Sequence, residues 1–397
     1  MPVEESQANI SNSGAKSLLR SFFSKAALLL FGIVLALLLL EVLLRFYNPF
    51  QARIKGNRIV LATNKTYHIK NDIIKGLDPE ITVTRNSLGF RGANPPPELG
   101  KYLSVVTIGG STTQCFFLSD DQTWTARLGH NLERSFSPLW INNAGLDGHS
   151  THGHLVLLED FIVPLHPKVA LFLVGANDVA RSSISDWDAE NVKSGIQFGS
   201  GKAFIKSLSA YSEVVSLFLN GYRSYTAYRA GLLHQQVDLK QQGYLEIPEA
   251  EQKQNFEENA NTALLKGYGE RLGDIVKICR NAGIEPVLVT QPLLVGFGID
   301  DVTGVDLART KAYGPRQTGK MYWDVVEAYN NITRQVAKEN GVLVIDLANK
   351  MPKSSRYFYD FIHYTPEGAQ VIADIIDRSL CPALQGKFPQ YATQRCK

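Results

Sequence analysis

Five short apolar runs limit what this chain can fold into: residues 103–108 (LSVVTI), 140–141, 169–174 (VALFLV), 286–289 and 342–345. Most are apolar at successive positions and rich in β-branched residues, so a strand built from one must be covered on both faces. Strands of that kind belong to parallel sheets, whose strand-to-strand crossovers are usually helices. Helical periodicity falls where those crossovers are needed, at 122–135, 152–162, 262–281, 321–339 and 366–379. The expected core is a layered α/β domain, with ligands beyond the carboxyl ends of its strands. A hydrophobic content of 44% over 397 residues is enough for a sizeable core and excludes a disordered chain. The 41 basic and 38 acidic residues are interspersed without a long run of one sign, which argues against a nucleic-acid partner.

Ahead of this domain, residues 26–40 read AALLLFGIVLALLLL without a charge. With Glu41 at the interface the apolar stretch reaches Leu44, which makes 19 residues, or roughly 28 Å of helix. No small-residue cleavage pattern follows it, so the expectation is an uncleaved, single-pass transmembrane anchor rather than a signal peptide. Lys16, Arg20 and Lys25 precede the stretch, and Arg45, Arg53, Lys55 and Arg58 follow it, so charge alone hardly orients it. Residues 1–25 form an N-terminal tail and 26–44 the span. Residues 45–100, rich in Pro, Gly and Asn, read as a linker and loop-rich lead-in, and 381–397 as a C-terminal tail.

About a hundred residues separate the third and fourth apolar runs, far more than one crossover needs. A helical insertion is expected at 180–260. Within it Tyr211, Val215, Phe218, Tyr222 and Tyr225 recur at three- and four-residue steps, which predicts a helix. The plain reading is a packed face. The sharper one is a cap that selects an apolar or sugar-like substrate.

Four segments carry chemistry, each just after an expected strand or before an expected helix. Gly109-Gly110-Ser111-Thr112-Thr113 allows a sharp turn that presents a serine hydroxyl, which needs a base to become a nucleophile. Asn143-Ala144-Gly145-Leu146-Asp147-Gly148 and Gly175-Ala176-Asn177-Asp178 offer a backbone N–H at Gly148 and an amide at Asn177, donors suited to an oxyanion. Asp360-Phe361-Ile362-His363 places a carboxylate three residues before an imidazole. It can bond one ring nitrogen and leave the other to take a proton. Thr365 and Pro366 then predict a capped helix start.

Taken together, these segments resemble the SGNH (GDSL-like) hydrolase family, whose blocks supply Ser, Gly, Asn and His in this order. The resemblance covers roughly 101–380. It implies a three-layer α/β/α, flavodoxin-like fold with a five-stranded parallel sheet, and a serine ester hydrolase working through an acyl-enzyme. It further implies Ser111 as nucleophile and Asp360 and His363 as the rest of a triad. The oxyanion hole falls to Ser111, Gly148 and Asn177, and no cofactor or metal is required. The first block departs from the family's Gly-Asp-Ser by reading Gly-Gly-Ser, which puts positioning rather than catalysis in doubt. The span followed by Asn86-Ser87-Leu88-Gly89-Phe90-Arg91-Gly92 is similar to bacterial envelope members, which implies an extracytoplasmic catalytic domain. The implied partners are the membrane and an ester-bearing small molecule, lipid or glycan. Two alternatives stand beside hydrolysis: O-acetyl transfer to an envelope polysaccharide, and a non-catalytic carbohydrate-binding or scaffold role.

Other residues are read as bystanders. His149, His152 and His154 lack a completing ligand pattern for a metal and are expected on a polar site rim. Cys115 is expected as a small buried apolar residue. Cys381 and Cys396 could pair in an oxidising compartment or stay free. Asn64 and Asn331 begin glycosylation sequons, which matter only in a eukaryotic secretory pathway.

Overall fold

A computed structural model describes residues 4–47, 54–55, 58–182, 200–229 and 234–396. It divides into two compact units, residues 1–56 with 193–226 and residues 57–192 with 227–397.

The second unit holds the sheet. Its strands are β3 (Leu103–Gly109), β4 (Leu139–Asn143), β5 (Val169–Leu173), β6 (Glu285–Val289) and β7 (Leu343–Ile345), in the order β4-β3-β5-β6-β7 and all parallel. Two further strands, β1 (Lys65–Lys70) and β2 (Glu80–Arg85), come earlier in the chain and form an antiparallel hairpin. The sheet order is that of flavodoxin-like folds, whose chain reverses direction across the sheet beside its first strand. In register, Val105 lies opposite Val169 and Leu171 opposite Val287.

Alternation along each strand explains both covered faces. Leu103, Val105, Leu171 and Leu173 point into a core shared with α3 (Trp124–Leu132) and α10 (Pro366–Lys387). Val106, Ile108, Ala170 and Phe172 point into another, closed by α4 (Thr151–Leu157), α8 (Thr262–Asn281) and α9 (Gly319–Asn340). The fold is therefore the expected three-layer α/β/α arrangement, with every strand within a residue or two of its apolar run.

Three features of the chain around the sheet differ from the sequence reading, and others are noted below. The segment expected as lead-in contains the β1–β2 hairpin, whose Ile81 and Val83 pack with Ile74, Phe117 and Tyr359. EITVTR alternates apolar and polar positions as a half-buried strand does, a pattern the sequence reading passed over, while the paired KTYHIK is mostly polar. The last helix runs beyond 379, through Pro382, to Lys387. The residues after it are pinned rather than frayed: Ser137 N donates to Tyr391 O, Thr393 N donates to Ser135 O, and Cys381 is disulfide-bonded to Cys396.

In the first unit, α1 (Glu4–Phe46) carries the apolar stretch, and Ser21–Phe46 is long and apolar enough to cross a membrane. The side chains of Ser21–Phe46 are nearly all exposed, Leu28 by 69% for example, which a buried core helix would not show. The unit also contains α5 (Gly201–Leu208) and most of α6 (Glu213–Arg229). Helix α6 confirms the periodicity read around Tyr222, but the expected packed face is not packed: Tyr211, Phe218, Tyr222 and Tyr225 are exposed, while Val214, Ser216 and Arg223 are buried. Helix α7 (Glu249–Ala260) belongs to the second unit, and residues 183–199 and 230–233 of the insertion lie outside the described residues.

Candidate active site

Strand β3 ends at Gly109, and Ser111 opens a single helical turn, α2 (Ser111–Gln114), which stops at Cys115 with a left-handed φ of 51°. The turn is held from outside by Arg91. This buried guanidinium bonds Asp120 at 2.7 Å and donates to the carbonyls of Gln114 (2.7 Å), Cys115 (2.9 Å) and Leu118 (2.7 Å). The preceding Asn86 shapes the loop that delivers Arg91, its Oδ1 accepting from Leu88 N and Phe90 N. The motif at 86–92 is thus a brace for the serine loop. Cys115 is buried and its thiol is pushed up to about 12 by burial, which fits the apolar role read for it and not a nucleophile.

The imidazole that meets this serine comes from the loop ahead of α10. Thr365 caps that helix by accepting from Gly368 N, and the loop folds on itself through a bond from Tyr359 N to His363 O of 3.1 Å. Inside the loop Asp360 is 3% exposed. Its Oδ1 accepts from Ile362 N at 2.8 Å and His363 N at 2.7 Å, and its Oδ2 lies 2.6 Å from His363 Nδ1. Burial alone would raise the Asp360 pKa, but the His363 imidazole and the two backbone N–H groups outweigh it and hold the carboxyl below its ordinary value. The other ring nitrogen, His363 Nε2, lies 2.7 Å from Ser111 Oγ, across 252 residues of chain. A proton on the hydroxyl therefore has an acceptor, and the acceptor has a carboxylate behind it.

The two remaining segments face the same serine loop. Gly148 has a φ of +73°, a conformation open to glycine at little cost. Asn177 Nδ2 donates to His149 O at 3.0 Å, which spans the loops after β4 and β5. Next to it, buried Asp178 accepts from Thr151 N and Oγ1, with Arg271 Nη2 at 3.3 Å. At Gly110, where the family has Asp, a Cβ would lie 2.1 Å from Asn177 Nδ2, so a side chain there would have to displace the amide.

Sequence reasoning missed a second imidazole. His234 packs on His363 with ring centroids 4.2 Å apart, its Nδ1 2.8 Å from the Tyr359 hydroxyl and its Nε2 3.5 Å from Asp147. Tyr359 stacks on His363 as well, at 5.6 Å and 12°. Nothing in the sequence around 234 marks it, because its role depends on the insertion returning to the sheet. His234, Asp360 and His363 are close enough to hold a metal ion, with ligand atoms within 4.8 Å of one another. His149 and His154, expected at a polar rim, are instead buried, His149 in the loop after β4 and His154 in α4. Cys115, Phe117, Leu118 and Tyr359 pack closely beside Ser111 and leave no cavity large enough for a water molecule.

Residues 107–371 match the model of the GDSL-like Lipase/Acylhydrolase family. The chain belongs to that family. As a GDSL-like acylhydrolase it is an ester-cleaving hydrolase, and its five-stranded parallel sheet is the one expected for that class. Among solved structures it is similar to a protein assigned to the G-D-S-L lipolytic family from Desulfitobacterium hafniense DCB-2, with 13% identity over 70% of this chain and 99% of the other (TM-score 0.38). It is also similar to an acetylxylan esterase from Geobacillus stearothermophilus, with 14% identity over 70% of this chain and 93% of the other (TM-score 0.38). A comparison with curated proteins finds no match.

Proposed function

We propose that this GDSL-like hydrolase is a membrane-anchored serine esterase in which Ser111, His363 and Asp360 act as a triad. The observation that carries the reading is the unbroken chain of contacts from Asp360 Oδ2 to His363 Nδ1 (2.6 Å) and from His363 Nε2 to Ser111 Oγ (2.7 Å). His363 takes the serine proton as Oγ attacks the ester carbonyl, and Asp360 steadies the imidazolium that forms. The backbone N–H groups of Ser111 and Gly148 and the Asn177 amide receive the oxyanion, and collapse expels the alcohol protonated by His363. Water, deprotonated by the same imidazole, then releases the acid from the acyl-enzyme. The close packing of Phe117, Leu118 and Tyr359 beside Ser111 leaves little room for a fatty chain and favours a short acyl group such as acetyl.

Two observations support an anchored, extracytoplasmic enzyme. Nearly all the side chains of Ser21–Phe46 are exposed, Leu44 excepted, and the Cys381–Cys396 disulfide suits an oxidising compartment. Labelling with a fluorophosphonate and turnover of p-nitrophenyl acetate against p-nitrophenyl decanoate test the reading. Wild type is expected to label and to prefer acetate, whereas Ser111→Ala is expected to lose both activities. Equal turnover by Ser111→Ala would remove the serine from the mechanism.

A further inference from the structure

Helix α6 is built inside out for a helix in water. Phe218, Tyr222 and Tyr225 fall at steps of four and three, which puts them on one stripe, and they are 68%, 62% and 58% exposed. Tyr211, just ahead of the helix, is exposed as well, whereas Ser216 and Arg223 are buried. A contiguous aromatic face of this kind marks a surface that something covers.

What lies at the start of α6 indicates the cover. Glu41, the single carboxylate of the 21–46 stretch, accepts from Ser212 Oγ at 2.8 Å and from Glu213 N and Val214 N at 3.1 Å each. It therefore caps α6 from about 170 residues away in sequence. Arg45 donates to Tyr211 O at 3.0 Å and pairs with Glu41 at 2.9 Å, and Lys55 pairs with Glu213. The first turn of α6 is thus fastened where the apolar helix ends, at the depth where a span meets headgroups. Tyrosine rings partition to that boundary, and basic residues there suit anionic lipids.

Resting on the anchored reading above, we infer that α6 is an interfacial helix whose Phe218, Tyr222 and Tyr225 face lies in the headgroup region of the bilayer that α1 crosses. The occupant is lipid, because the first turn of α6 is fastened to Glu41 and Arg45 at the end of the helix read above as a membrane span.

The full chain reconstituted in vesicles of phosphatidylcholine and phosphatidylglycerol provides the test. An environment-sensitive fluorophore is attached to Tyr222→Cys in one preparation and to Leu35→Cys in another. Cys115 and Cys279 are buried and the other two cysteines are paired, so the introduced thiol is the reactive one. The label at 222 is expected to shift to the blue and to lose more emission to phospholipids quenching near the headgroup than to those quenching deep in the chains. The label at 35 is expected to show the reverse. Water-like, unquenched emission at 222 with deep quenching at 35 overturns the interfacial helix and leaves the anchor standing. Unquenched emission at both positions overturns the anchor and the inference with it. A blue shift at 222 that lipid quenchers leave untouched and that reverts as protein is diluted in lipid means a second copy covers the face, which also overturns it.

Discussion

With Asp360 replaced by Asn, the imidazole nitrogen that now faces a carboxylate would face an amide, and the ring would no longer be held in the tautomer that accepts the serine proton. The chain should still fold, because Oδ1 can keep accepting from Ile362 N and His363 N. Turnover is expected to fall by about 10³-fold or more, read as kcat on p-nitrophenyl acetate. The same carboxylate has a pH signature. Its folded pKa is depressed, so the stability it contributes is present above the unfolded value near ~3.9 and is lost as pH falls through the folded one. Urea midpoints of wild type and Asp360→Asn should therefore differ most near neutrality and converge in acid; a constant gap would show that the pairing contributes nothing. Gly110 makes a second case. Gly110→Ala places a methyl 2.1 Å from Asn177 Nδ2, so the amide must swing away from His149 O. For the oxyanion role proposed for Asn177, loss of the donor is expected to cost about 10²-fold in kcat with KM hardly moved; an unchanged kcat would overturn that proposed role.

At the level of elements, the serine turn owes its rigidity to a residue outside every catalytic block. Arg91→Ala would leave three carbonyls and the Asp120 carboxylate without their buried partner. It is expected to cost about 3–5 kcal/mol in chemical denaturation. Arg91→Lys should recover only part, because an ammonium cannot serve Asp120 and three carbonyls in one plane. Full recovery by lysine would mean that charge, not the fork of donors, matters. The same contrast explains what could be read from the sequence. The five strands were legible because burial on both faces leaves continuous apolar runs. Asp360 and His363 were legible because both members of their pair sit in one loop, capped by Thr365. His234 was not, since only the folded insertion brings it to His363. Nor was the outward turn of α6: periodicity tells that Phe218, Tyr222 and Tyr225 share a face, but not which way that face points.

For the molecule as a whole, the cysteines offer a test of where it resides. The sequence left Cys381 and Cys396 open between a bond and two free thiols, because pairing depends on the chain turning back after the last helix. It does so: α10 continues to Lys387, Tyr391 O accepts from Ser137 N, and Thr393 N reaches Ser135 O. The bond closes a separation of 15 residues, a loop worth about 3 kcal/mol in the chain-entropy account. A cytosolic domain would be kept reduced and would forgo that contribution. Protein taken from native membranes, unfolded without reductant and alkylated, is expected to show Cys115 and Cys279 modified and the other two protected. Alkylation of all four would place the domain in a reducing compartment and remove the main support for an extracytoplasmic enzyme. Cys381→Ser should lower the thermal midpoint by roughly 5 °C, with kcat preserved, since the bond ties the tail to α10 and touches no group around Ser111. A loss of kcat in that variant at temperatures where it stays folded would show that the tail reaches the active site through α10, the helix that Thr365 begins just after His363.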